Sequence, residues 1–352
     1  MLKVNSYQKK FIRSLQIKDY LNFLFLYLAK FNDFFLNFVK ITPLFATVKL
    51  TNLCNSRCIT CGHWKNKSNQ GEMTTQQVLN VEEQLYQAGC RFIRFSGGEA
   101  LLRDDIKEII NHAKKVGFKK IILATNGLLL NKKAQQLSSL TDITISLDGT
   151  GSINDQIRGI DGYFENALKG IKTIKKLHPD VDIKIATTVL AKNIDNIFEL
   201  LEFCKKNNIP WYLNLLDVHT YFWKEIKTNG LDPKEKGAKK VKKFIKKLKR
   251  EKQQHPNLIT LNNQQINHVK DFILQGKYPN HCILGYVDVY IDPKANVYTG
   301  CWPMDPLANL KKTNLKKLIQ TKKYKNRAQR MFHRKCPQCT CGWAYNILYD
   351  NL

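Results

Sequence analysis

From about residue 46 to 217 the chain alternates short apolar runs with helix-patterned stretches, and this rhythm limits what it can fold into. Residues 46–53, 91–95, 120–124, 142–147, 182–189 and 210–216 read as strands. Stretches such as 74–88 and 105–116 read as the helices between them. Strands separated by helices need crossover connections, which run parallel and wind right-handed around one sheet. Six such units make an α/β chain, a partial (β/α)6 TIM-like barrel. In such barrels chemistry gathers at the carboxyl ends of the strands.

The polar motifs fall at those ends. After the first strand comes Cys54-Asn-Ser-Arg-Cys58-Ile-Thr-Cys61, three thiols and not four. A closed structural metal site wants four ligands, whereas an iron–sulfur cubane held by three cysteines keeps one iron open. A zinc knuckle completed by His63 is the competing reading of the same residues. After the second strand comes Ser96-Gly97-Gly98-Glu99, where glycine permits close backbone approach and a carboxylate can pair with an ammonium. Leu101-Leu102-Arg103-Asp104-Asp105 follows, its acids placed to open a helix. The third and fourth strands exit through Thr125-Asn126-Gly127 and Asp148-Gly149.

A CxxxCxxC triplet followed at this distance by a strand and Gly-Gly-Glu resembles the radical S-adenosylmethionine (SAM) superfamily. The resemblance implies that Cys54, Cys58 and Cys61 hold a [4Fe–4S] cluster whose open iron chelates SAM. An electron, from a donor such as flavodoxin or ferredoxin, would then release methionine and a 5′-deoxyadenosyl radical. It further implies that Gly97, Gly98 and Glu99 line the SAM amino group and that Asn126 reaches the ribose or methionyl part. Ser146 and Arg158 would hold the carboxylate, an Arg–carboxylate pair being bidentate. Val189 would lie along the adenine. The family's aromatic before the third cysteine is here Thr60, which leaves Ile59 or Trp64 as the substitute.

Beyond residue 217 the alternation stops. Residues 218–280 read as a basic helical linker, with Val241, Phe244, Ile245 and Leu248 as the narrow apolar stripe of one helix. In 281–352, residues 288–291 and 296–299 flank a turn and read as a hairpin. A basic helix near 313–332 and Cys336-Pro-Gln-Cys339-Thr-Cys341 follow. This order resembles the SPASM/Twitch extension of the same superfamily. The resemblance implies an auxiliary [4Fe–4S] cluster on Cys282, Cys301, Cys336 and Cys339, with Cys341 as a fifth candidate. A zinc ribbon on these cysteines stays open. Cys90 and Cys204 stand alone and read as small core residues.

The formal net charge of +28 is regional: residues 234–252 carry eleven Lys/Arg against two acids, and residues 311–335 carry eleven against none. Neither stretch interleaves stacking aromatics regularly, so solvated helix faces are expected ahead of a nucleic-acid surface. A basic zinc protein on nucleic acid is the non-enzymatic alternative. Clustered thiols with no cleavable signal ahead of them indicate a reducing cytoplasm. Residues 1–45 form an amphipathic segment whose longest uncharged run, Tyr20 to Ala29, has ten residues, half a membrane span. It suits either the barrel opening or the surface of a membrane. The substrate expected is a peptide or protein, since a basic surface can receive an acidic leader. Radical dehydrogenation of a small molecule, a sugar or aminocyclitol, is the alternative.

Overall fold

The computed structural model describes residues 17–216, 235–277, 280–300 and 304–336. Its core is one open sheet of nine strands in the order β6-β5-β4-β3-β2-β1-β7-β8-β9. The six expected strands are β1 Phe45–Lys49, β2 Phe92–Ser96, β3 Lys120–Thr125, β4 Asp142–Ser146, β5 Asp182–Val189 and β6 Trp211–Leu215. All pair in parallel with their sequence neighbours. The α/β class and the partial, unclosed parallel barrel therefore match the sequence expectation. One boundary differs: β1 ends at Lys49 rather than at residue 53, because Thr51 and Leu53 give their carbonyls to the turn after β2.

Each crossover begins on local chemistry. Helix α2, Thr75–Ala88, opens with a capping box: Thr74 Oγ1 accepts from Gln77 N at 3.3 Å, and Gln77 Oε1 accepts from Thr74 N at 3.1 Å. Helix α3, Ile106–Val116, is preceded by Asp105, which pairs with Arg103 (Nε–Oδ1 2.8 Å) and accepts from Thr75 Oγ1 at 2.7 Å. Arg103 also donates to the Met73 carbonyl at 2.9 Å. Asp105 thus ties α2 to α3 rather than capping a helix through a side-chain bond, and exposed Asp104 pairs with Lys133 at 3.2 Å. Helices α4 Gly151–Arg158, α5 Tyr163–Leu177 and α6 Ile197–Lys206 complete the outer layer. Alternate strand residues, Val48, Phe95, Leu123, Ile145 and Ile185 among them, bury against that layer.

Two regions differ from the expected division of the chain. Residues 218–280 contribute helices α7 Glu235–Gln254 and α8 Asn263–Gln275. The stripe of Val241, Phe244, Ile245 and Leu248 lies in the main core, with Phe244 against Phe198 at 5.4 Å. A linker would leave that stripe in water; burying it makes the stretch part of the barrel wall. The hairpin, β7 Asp288–Ile291 and β8 Asn296–Tyr298, pairs antiparallel as expected. Yet β7 also pairs in parallel with β1, and β9 Ala308–Asn309 extends the same sheet. Helices α9 Leu315–Leu318 and α10 Lys322–Phe332 follow. Cys90 and Cys204 are buried core residues.

Helix α1, Ile17–Leu28, packs at the amino ends of the strands. Phe23, Leu26 and Ala29 join Phe92, Ile283, Ala328 and Phe332 in a second apolar cluster. The carboxyl ends are left to the motifs. The amino end is also closed by charge: fully buried Asp142, at the start of β4, accepts from Lys120 Nζ at 2.8 Å and Lys184 Nζ at 2.9 Å. Burial pushes its carboxyl up, but Lys184 and Lys120 outweigh that and hold it below the ordinary carboxylate range. A depressed carboxylate contributes stability above its unfolded value of 3.8 and loses it as pH falls through the lower folded value. Asp142→Asn should therefore cost about 3 kcal/mol at neutral pH by removing the buried carboxylate that Lys120 and Lys184 share. Denaturant melts of both proteins should show the gap narrowing as pH drops below 3.8. A gap constant with pH would mean that the ion triad is not its source.

Candidate functional site

The cysteine loop is clamped from both sides. On one side it meets the turn after β2: Gly98 N donates to Thr51 O, and Glu99 N donates to Leu53 O, each at 2.8 Å. A Cβ on Gly98 would lie 2.2 Å from the Leu53 carbonyl oxygen, so only glycine admits this approach. On the other side the loop meets the end of α4. Arg57 N donates to Arg158 O at 3.0 Å, and Ile59 N donates to Ile157 O at 2.9 Å. Gly159, with φ +70°, would place a Cβ 2.4 Å from the Arg57 carbonyl oxygen. The two glycines set the spacing of three chain segments around Cys54, Cys58 and Cys61.

Within the clamp the thiols are held but not sealed. Cys58 is buried, while Cys54 and Cys61 are partly open. Ser56 Oγ lies 3.3 Å from Cys58 Sγ and donates to Arg158 O at 3.1 Å. Burial, reinforced by the neighbouring Cys58 and Glu99, pushes the Cys54 thiol up to about 12, and burial raises Cys61 too. These thiols are protonated without a metal, so binding one must release protons. Trp64 Nε1 donates to the Cys58 carbonyl at 3.3 Å and braces the loop, whereas Ile59 is half exposed. Thr60 is buried.

The other predicted residues surround this loop, with partners the sequence did not reveal. Glu99 is 1 % exposed and accepts three hydrogen bonds, from Leu101 N at 3.0 Å, Thr125 Oγ1 at 2.8 Å and Asn126 N at 2.7 Å. Burial raises its carboxyl against those donors. Asn126 Nδ2 donates to Asn55 Oδ1 at 2.7 Å, linking the β3 exit to the cysteine loop. Arg158 pairs with fully buried Asp148, Nε to Oδ2 2.8 Å, and its Nη1 stands 3.9 Å from Cys58 Sγ. Burial opposes the Arg158 charge, but Asp148 more than restores it, raising its value further. Ser146 ends β4 on the lumen side, opposite the face that carries Ile143 and Ile145 into the core.

Val189 is placed elsewhere. It shares a strand face with Ile183 and Ile185, is 1 % exposed, and belongs to the main core. A separate small apolar cluster, Ile157, Leu190 and Leu216 with Ile153 beside it, stands at the strand exits instead. Strand parity explains the difference, because one residue along β5 changes the face. Two other groups were missed by sequence reasoning. Asp148 was read only as part of a turn. Lys49, a charge at the end of an apolar strand, is 3 % exposed and donates to Asn52 Oδ1 at 2.8 Å beside His63. Burial lowers Lys49 to about 8 and His63 to about 3. Among the C-terminal candidates, Cys282 is buried beside Leu284 and Met331, and Cys282 N donates to Phe332 O at 3.2 Å. Cys336 is partly open four residues beyond; Cys301, Cys339 and Cys341 lie outside the described residues.

Because Glu99 satisfies three buried donors, Glu99→Ala should destabilise the fold by about 3 kcal/mol, before any ligand is considered. Denaturant unfolding of the metal-free protein measures this. A variant as stable as the parent would show that the carboxylate does not hold the strand exits together.

Comparison with known proteins agrees with the geometry. Residues 48–204 match the model of the radical SAM superfamily. The AdoMet-dependent heme synthase of Methanosarcina barkeri is 30 % identical over 179 residues, 49 % of this chain and 49 % of that protein. The sporulation killing factor maturation protein SkfB of Bacillus subtilis is 31 % identical over 166 residues, 45 % of this chain and 40 % of that protein. The chain thus spans about half the length of the curated relatives it matches. The solved structure of Streptococcus suis SuiB bound to precursor peptide SuiA superposes with a TM-score of 0.65 over 85 % of this chain and 69 % of that one. At 15 % identity this likeness is one of fold. The superfamily works with a [4Fe–4S] cluster and SAM. Over residues 48–204, a little under half of its length, the chain is thus similar to the radical SAM superfamily, whose members are enzymes.

Proposed function

We propose that Cys54, Cys58 and Cys61 hold a [4Fe–4S] cluster and that the chain acts on a peptide or protein by hydrogen-atom abstraction. The observation that carries this reading is the clamped loop: three thiols presented between the β2 exit and the end of α4, with no fourth cysteine in the loop. The donor set suits a cubane, since soft thiolates favour iron–sulfur clusters and a three-cysteine set leaves one iron for an exchangeable ligand. When bound, the cluster and SAM together supply the means of breaking a substrate C–H bond, using an electron from a flavodoxin or ferredoxin.

This chain's residues do the positioning. Arg158, held by Asp148, places a fixed positive charge beside Cys58, suited to the net negative charge of a thiolate-bound cluster. Glu99 and Asn126 fix the rim where the SAM amino acid would sit, with Gly97, Gly98 and Ser146 alongside. Ile157, Leu190 and Leu216, rather than Val189, offer an apolar seat for adenine. Closing this rim around its ligands would exclude water from a reactive intermediate.

Two observations favour a polar, extended substrate. Lys49, Arg94, Ser146, Thr188, Asn214 and Tyr290 lie on the strand face opposite the main core, so the lumen is polar. The relative SkfB is named as a maturation protein, and the SuiB fold was captured with a precursor peptide. Cys282 and Cys336, with Cys301, Cys339 and Cys341, are proposed to carry an auxiliary cluster.

Anaerobic reconstitution tests the first part. Cys54→Ala/Cys58→Ala/Cys61→Ala should bind about four fewer iron atoms than the parent and lose all SAM cleavage. Cleavage persisting in that variant would remove the assignment. Cys282→Ala should bind less iron while retaining cleavage without substrate, because the clamp at the strand exits is intact.

A further inference from the structure

Nine large apolar side chains are exposed among the described residues, and six of them fall between residues 17 and 38: Ile17, Leu21, Leu24, Phe31, Phe34 and Phe38. Helix α1 is apolar on two opposite sides. Phe23, Leu26 and Ala29 face the second core cluster, while Ile17, Leu21 and Leu24, at i, i+4 and i+7, face outward. The 3-10 turn Asp33–Phe38 continues the outward side. Phe38 stacks on Phe25 at 5.5 Å and meets the edge of Phe34 at 5.2 Å. Ile17 is 81 % exposed and Phe31 75 %. A helix apolar all round is normally covered on all sides, and an open patch of this kind marks a contact surface.

Charge selects what covers it. Helix α10 shares the second apolar cluster with α1 through Ala328 and Phe332, and its exposed residues include Lys322, Lys323, Lys325 and Arg330 with no acid in the helix. Lys18, Lys30 and Lys40 lie within the patch segment against buried Asp19 and against Asp33, the latter 3.4 Å from His333 Nε2, and residues 1–16 carry four basic side chains and no acidic one. A second copy of the chain would bring two such rims together, a like-charge arrangement that opposes pairing. An anionic lipid surface answers both features at once: acyl chains accept the apolar side chains, and headgroups attract the lysines. Length fixes the mode of contact. Twelve helical residues extend about 18 Å against a hydrocarbon core of about 30 Å, and no helix among the described residues is long and apolar enough to cross a membrane. On such a surface the helix would lie in the plane of the interface.

We propose that α1 and the Asp33–Phe38 turn form a docking surface for an anionic phospholipid bilayer, with the lysines of α10 as its charged rim. The patch sits at the amino ends of the strands, so docking would leave the cysteine loop at the opposite ends accessible. This inference does not depend on the reading of that loop.

Co-sedimentation of the purified chain with vesicles tests it. Phosphatidylcholine vesicles with about one third phosphatidylglycerol should pellet the protein at low salt, and pure phosphatidylcholine should pellet roughly tenfold less. Raising salt to about 0.5 M should release most of it, since screening then acts within a few ångströms. Leu21→Gln/Leu24→Gln/Phe34→Gln should bind at least about tenfold more weakly and stay folded with a melting temperature within a few degrees of the parent, because each side chain is already about half exposed. Lys322→Glu/Lys325→Glu should weaken binding through charge alone. Wild-type protein that stays in the supernatant with anionic vesicles overturns the proposal, as does a triple glutamine variant that binds like the parent. A dimer in solution that the triple variant converts to monomer also overturns it, by showing that a second copy covers the patch.

Discussion

The structure depends on a backbone clamp. Gly98 N and Glu99 N donate to Thr51 and Leu53 on one side of the cysteine loop; Arg57 N and Ile59 N donate to Arg158 and Ile157 on the other. Main-chain bonds of this kind tolerate no side chain between the partners, which is why Gly98 and Gly159 stand where a Cβ would lie within 2.4 Å of a carbonyl. Everything else at the strand ends follows from that geometry. The loop is not a flexible tether for three thiols but the meeting point of β1, the β2 exit and the end of α4.

Buried carboxylates extend the clamp in two directions and brace the opposite end of the strands. Glu99 joins the β2 exit to the β3 exit through Thr125 and Asn126. Asp148 carries Arg158 toward Cys58 and takes a hydrogen bond from Thr188 N at 2.7 Å, reaching β5. Asp142 works at the other end, tying β3 and β5 to β4 through two lysines. Burying a charge is costly unless it is paired, so each of these groups is restricted to a geometry in which its partners are present. The chemistry-bearing rim is thereby made rigid by groups that need never touch a substrate.

The C-terminal elements and α1 form one continuation of the sheet. β7 pairs beside β1, and α10 and the Leu284–Val287 turn close over the amino ends together with α1. The segments on either side of the barrel thus share an apolar cluster, with the exposed apolar side chains of residues 17–38 on its outer side among the described residues. The same topology carries Cys282 and Cys336 to one end of α10.

Much of this was legible in the sequence. The strand–helix alternation announced a parallel sheet because crossovers admit few topologies. CxxxCxxC and Ser-Gly-Gly-Glu announced their own meeting place, since successive strands of such a sheet present their exits side by side. The apolar stripe of Val241 to Leu248 was visible as well, though not what it would bury against. What the tertiary structure alone decided was pairing and parity. A side chain's face depends on the last residue of its strand, so Val189 entered the core and Leu190 the rim. Buried partners lie far apart in sequence: Asp148 for Arg158 reaches across a helix, and Asn55 for Asn126 spans two strands. The docking of β7 beside β1 was equally hidden, because edge pairing depends on which backbone groups remain unsatisfied once the sheet has formed, and no local pattern records that.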